Sequence, residues 1–103
     1  MQQIVKKFNE SMPCHKKPMP VSARMLDIVS EVGELSKEVL KSTTYGTEEF
    51  KVTEAFEMEF GDVLYSLLSL ANETGIDSKK ALGKILAKYK TRIEQKGSMG
   101  SGN

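Results

Sequence analysis

The chain has 103 residues, 15 of them basic and 14 acidic, for a formal net charge of +1. That balance gives no bulk attraction to nucleic acid or to an anionic membrane, so neither is expected as a partner. One cysteine excludes an intrachain disulfide, no apolar run approaches the roughly 20 residues that span a bilayer, and the length predicts one small domain.

The start, Met1 to Lys7, has no apolar signal-peptide core, so the chain is expected to be soluble and cytoplasmic. From Met1 to about Glu10, Ile4, Val5 and Phe8 fall at helical spacing and predict a short amphipathic helix. The following stretch, Ser11 to Pro20, holds three prolines and predicts a loop. It also carries the only histidine, His15, and the only cysteine, Cys14.

From about Val21 to Ser42, Met25, Ile28, Val29, Val32, Leu35 and Val39 recur at steps of three and four, which predicts a long helix with Pro20 at its start. Gly46 breaks the pattern and suits a positive φ. A third helix is predicted from about Glu48 to Glu73, with Val52, Phe56, Phe60, Val63, Leu64, Leu67 and Leu70 on its apolar side. Gly75 ends it, and Asp77 or Ser78 caps a last helix running to about Gln95, with Leu82, Ile85, Leu86 and Ile93 on its apolar side. Residues 1–96 therefore read as one all-α domain, and residues 97–103 as a low-complexity, disordered tail. The expected architecture is a helical bundle of three long helices plus a short N-terminal helix. One chain has too few helices to cover every apolar face, which predicts completion by oligomerisation, as a homodimer or homotetramer.

The second helix carries Asp27, Glu31, Glu34 and Glu38 within an arc of roughly 60°. Like charges at this spacing repel weakly, and such a line alone reads as a solvated acidic face. The third helix adds the stronger signal. Glu59 sits at the edge of the apolar arc, close in angle to Val63 and Leu70, and Asp62 continues a polar strip beside it. A carboxylate at the rim of a core-facing surface needs a partner, either a lysine or a cation. If the two helices pack antiparallel, Glu31 and Glu34 converge with Glu59 and Asp62. Four carboxylates in one place call for cations, and an all-oxygen donor set suits Mg²⁺, with Mn²⁺ as a substitute. Mg²⁺ commonly takes substrate phosphates as further ligands, which points to phosphate-ester or anhydride chemistry.

The text is E-x-x-E, 24 intervening residues, then E-x-x-D, set in "EVGEL" and "GDVLYSLLSLANETGID". It resembles the MazG-like family of all-α nucleoside triphosphate pyrophosphohydrolases over roughly Pro18 to Arg92. The resemblance implies Mg²⁺-dependent cleavage of a nucleoside triphosphate, a dNTP or a non-standard NTP, between the α- and β-phosphates. It implies Glu31, Glu34, Glu59 and Asp62 as metal ligands. One carboxylate must accept a proton from water: Glu31 or Glu34, with Glu38 as a further possibility. Lys84, Lys88 and Arg92 follow one flank of the last helix, which is either a basic rim or a phosphate-binding strip. In the family a Lys and an Arg here contact the phosphates, and Lys88 and Arg92 match, although Ala87 stands where relatives often have Asn or Asp. Some relatives place a histidine in this loop close to the nucleobase, so His15 either takes that place or is simply exposed to solvent; Asn72 either faces the nucleotide or caps its helix. Two other readings of the chain are a phosphoribosyl-ATP pyrophosphatase-like enzyme and a non-catalytic helical oligomerisation module.

Overall fold

A computed structural model describes residues 1–13 and 19–96. His15 and the tail 97–103 lie outside the described residues. Four helices carry the fold: α1 (Gln2–Ser11), α2 (Val21–Ser42), α3 (Glu54–Thr74) and α4 (Ser78–Lys96). No strand occurs among the described residues, so the all-α expectation holds. No helix is long and apolar enough to cross a membrane.

Helix α2 has the predicted bounds, following Pro20, whose fixed φ of −58° leads into the first turn. Its end is held by Thr43, whose hydroxyl donates to the Val39 carbonyl at 2.8 Å and accepts from the Gly46 N–H at 3.0 Å. Thr44, Tyr45 and Gly46 then run through the left-handed region, with φ of 48°, 59° and 87°. Gly46 adopts this without strain. Thr44 and Tyr45 do not, since a β-branched or bulky side chain is disfavoured there.

Helix α3 begins at Glu54, six residues later than Glu48, where the sequence pattern starts it. Two local bonds explain the difference. Thr53 caps the helix by accepting from the Phe56 N–H at 3.0 Å, which fixes the first turn. Upstream, the Ser42 hydroxyl donates to the Lys51 carbonyl and accepts from the Lys51 N–H, tying that segment to the end of α2 in a non-helical conformation. Glu54 and Glu57 then complement the N-terminal end of the α3 dipole. Gly75 terminates α3 at φ +74°, with the Ile76 N–H bonded to the Ala71 carbonyl at 2.9 Å, and Asp77 caps α4 through the Lys80 N–H.

Helices α2 and α3 form an antiparallel hairpin, and α1 lies across α3. The small core sits on α3, where Leu68 and Ala71 are buried beside Ser66 and Ser69. Helix α1 buries no residue fully and docks through specific polar and aromatic contacts. Asn9 donates to the Ser69 hydroxyl, the Tyr65 hydroxyl bonds Asn9, and Phe8 meets Tyr65 edge to face at 6.1 Å. Helix α4 has no buried residue and is not packed along α2 or α3.

The consequence is an open shape. The radius of gyration is 17.1 Å, against about 13 Å for a compact chain of this length. The accessible surface is 8088 Å², against about 5,800 Å² expected for a globule of 11.5 kDa. Among the described residues, Leu26, Val29, Leu67, Leu82, Leu86 and Ile93 are all exposed.

Candidate metal centre

The antiparallel α2–α3 hairpin sets residues in successive cross-helix rungs. At the α2 N-terminus Arg24 reaches Glu73, and Ser66 donates to Asp27 at 3.1 Å. One turn further along each helix, Glu31 of α2 faces Asp62 of α3, and Glu59 stands a turn beyond Asp62. Oxygen atoms of Glu31, Glu59 and Asp62 all lie within 4.8 Å of one another. Glu31 and Glu59 are half-buried and Asp62 is exposed. The paired motifs predicted that four carboxylates would converge across an antiparallel hairpin, and three of the four meet here.

Glu34 is adjacent but turned outward, with its carboxylate 3.5 Å from Lys37. Glu38 lies deeper, its side chain 15 % exposed, and bonds Lys41 at 3.4 Å. No ion pair neutralises Glu31, Glu59 or Asp62 among the described residues. The Glu31 carboxyl is pushed above the ordinary glutamate range, first by partial withdrawal from water and then by the charges of Asp62, Asp27, Glu59 and Glu34. Glu59 is pushed up in the same way, by withdrawal from water and then by Asp62, Glu34 and Glu38. Uncompensated, these groups gain protons more readily than a free glutamate does. An all-carboxylate donor set of this spacing suits a hard divalent cation, and a cation would relieve the mutual repulsion.

Asn72 is elsewhere. It lies ten residues beyond Asp62 on α3, about 15 Å of helix rise. Its side chain accepts from the Gln2 amide at 3.0 Å and donates to the Gln2 carbonyl at 3.2 Å, pinning α1 to α3, with neither the cap nor the acidic cluster as its partner. It lines a separate cleft of about 460 Å³ with Gln2, Lys6, Asp77, Ser78 and Lys79. Lys84 and Lys88 are exposed on α4 and Arg92 is half-buried, and none is paired with the cluster within the chain. Sequence reasoning placed Ser66 and Glu73 only in the polar strip beside Glu59 and did not single out Arg24, which links Glu73 to Asp27. Asp27 was grouped with the acidic line of α2, yet its carboxylate is taken up by Arg24 and Ser66.

Comparison with known proteins matches the MazG nucleotide pyrophosphohydrolase domain over residues 21–96, a span that contains α2, α3 and α4 and every member of the cluster. The uncharacterised protein YpjD of Bacillus subtilis (strain 168) is 38 % identical over 73 residues, covering 68 % of this chain and 64 % of YpjD. The chain thus spans somewhat under two thirds of that relative's length. No solved structure matches the chain. With most of its length matched and the paired carboxylates in place, the chain belongs to the MazG nucleotide pyrophosphohydrolase family.

Proposed function

We propose that this chain hydrolyses a nucleoside triphosphate, a dNTP or a non-standard NTP, to the nucleoside monophosphate and pyrophosphate with Mg²⁺ as the cofactor. The observation that carries the reading is the convergence of Glu31, Glu59 and Asp62, whose oxygens meet within 4.8 Å with no cationic side chain between them. In the reaction the oxygen of one water molecule bonds to the α-phosphorus, the bond from that phosphorus to the bridging oxygen breaks, and pyrophosphate leaves.

Glu31, Glu59 and Asp62 would hold the cation, with Glu34 as the candidate fourth ligand. Bound there, Mg²⁺ supplies charge neutralisation for the triphosphate and orientation of the attacking water. A carboxylate of the cluster takes the proton that the water loses. Glu31 and Glu34 are the candidates, with Glu38 at the inner end of the line, and Mn²⁺ fits the same oxygen set. Lys84, Lys88 and Arg92 bind phosphate oxygens, and His15 is the candidate for contact with the nucleoside, while Asn72 is committed to Gln2.

The exposed apolar side of α4 supports a homodimer or homotetramer, in which a partner subunit covers this face and brings basic α4 residues to an acidic cluster. A cytoplasmic location fits the single cysteine. The test is product analysis on a panel of standard and modified NTPs and dNTPs with Mg²⁺. Pyrophosphate with the monophosphate is expected. Orthophosphate with the diphosphate would mean cleavage at another bond, and no product from any substrate would favour a non-catalytic helical module.

A further inference from the structure

Arg24 is the most deeply placed charge among the described residues, 8 % exposed in the first turn of α2. It grips Glu73 with two bonds, Nε to Oε1 at 3.1 Å and Nη2 to Oε2 at 2.9 Å. Its Nη1 reaches Asp27 Oδ2 at 3.4 Å, and the same oxygen accepts from the buried Ser66 hydroxyl at 3.1 Å. Local helix physics does not account for this pair. A cation in the first turn and an acid in the last turn each face the unfavourable end of their helix dipole, and Arg24 and Glu73 occupy those positions in α2 and α3. A part-buried ion pair such as this one is also a weak source of net stability, since apolar residues of similar volume often do as well. What a two-pronged arginine supplies is direction, and lysine does not reproduce it.

The placement gives that direction a use. Asp27 precedes Glu31 by one turn of α2, and Ser66 follows Asp62 by one turn of α3. The Asp27–Ser66 bond is therefore the rung next to the Glu31–Asp62 rung. The acidic residues tend to push α2 and α3 apart at that point. The Arg24 network ties the same two helices together beside it.

Resting on the metal-site reading above, we infer that Arg24 is a positioning residue for the acidic cluster: through Glu73, and through Asp27 and Ser66, it fixes the register of α2 on α3 that brings Glu31, Glu59 and Asp62 together.

The test is Mn²⁺ binding by the full chain, read from the paramagnetic resonance signal of free Mn²⁺, with helicity and melting temperature in chelator as controls. Arg24→Met leaves Glu73 unpaired and lowers the melting temperature. The double variant Arg24→Met/Glu73→Met removes that unpaired charge and recovers thermal stability. Its Mn²⁺ affinity stays below wild type by on the order of tenfold, as for other residues that orient metal ligands from behind. A role confined to packing would return affinity along with stability, and a double variant that melts and binds like wild type overturns the inference. If the double variant does not fold, Ser66→Ala decides: it keeps the Arg24–Glu73 pair intact and removes one donor from Asp27. Weaker Mn²⁺ binding at unchanged helicity is then expected, and wild-type binding overturns the inference. Absence of Mn²⁺ binding by wild type would remove the metal-site reading itself, and this inference with it.

Discussion

The uncovered face of α4 makes a quantitative prediction about self-association. Leu82, Ile85, Leu86 and Ile93 lie on one side of α4, and Leu86 is 57 % exposed. A standard interface takes about 800 Å² from each partner. If a second copy covers this face, a tenfold rise in protein concentration stabilises the dimer by about 1.4 kcal/mol. For a cooperative unit of about 200 residues that raises the melting temperature by about 3–6 °C. Leu86→Glu removes about 1.5 kcal/mol of apolar burial at each of two symmetry-related positions, so dimerisation weakens by roughly 100-fold. Sedimentation velocity over a dilution series, with melting curves at each concentration, reads both effects. A wild-type chain that sediments as a helical monomer, with a melting temperature independent of concentration, would refute the reasoning.

The remaining predictions concern the cluster and the strained turn. Millimolar Mg²⁺ raises the melting temperature of wild type, and the Glu59→Gln and Asp62→Asn variants lose that response; retention of the full shift in both would exclude these residues as ligands. The raised Glu31 and Glu59 carboxyls fix a pH dependence in chelator. Because each binds its proton more tightly folded than unfolded, stability is lost as pH rises through the folded value and recovered as pH falls toward the ordinary glutamate value of 4.5. The stabilisation of Glu31→Gln/Glu59→Gln over wild type, measured by denaturant titration, should therefore shrink as pH falls, and a pH-independent difference would contradict the electrostatic account. In the α2–α3 turn, Tyr45 is 77 % exposed at φ +59°. Asparagine tolerates that conformation better, so Tyr45→Asn should raise thermal stability by about 0.5–1 kcal/mol. A lowered melting temperature would mean that the ring makes a stabilising contact.

Much of this arrangement was legible because it depends on local rules. The limits of α2, the positive φ of Gly46 and Gly75 and the Asp77 cap all follow from residue type at a given place. Glu59 was legible from its angle at the edge of an apolar arc, and the hairpin brings it to Glu31 and Asp62. The start of α3 was misplaced because Val52 and Phe56 continue a helical period that the Thr53 cap and the Ser42–Lys51 bonds override. The Arg24–Glu73 grip was invisible to periodicity, since the two residues are 49 positions apart and each looks like an ordinary helix-surface charge. The available signal was their shared misfit with the helix dipole, a cation early in one helix and an acid late in the next. Asn72 was open between two local readings, and its partner, Gln2, lies 70 positions away, beyond the reach of either.

The central claim is that the carboxylates of α2 and α3 serve Mg²⁺-dependent pyrophosphohydrolysis. Its most direct test is ³¹P NMR of wild type and Glu59→Gln incubated with the NTP and dNTP panel and Mg²⁺. Wild type should yield inorganic pyrophosphate and the monophosphate in equal amounts from at least one nucleotide, with no product in chelator and none from Glu59→Gln. Product formation that persists in chelator, or in a folded Glu59→Gln variant, would contradict the account.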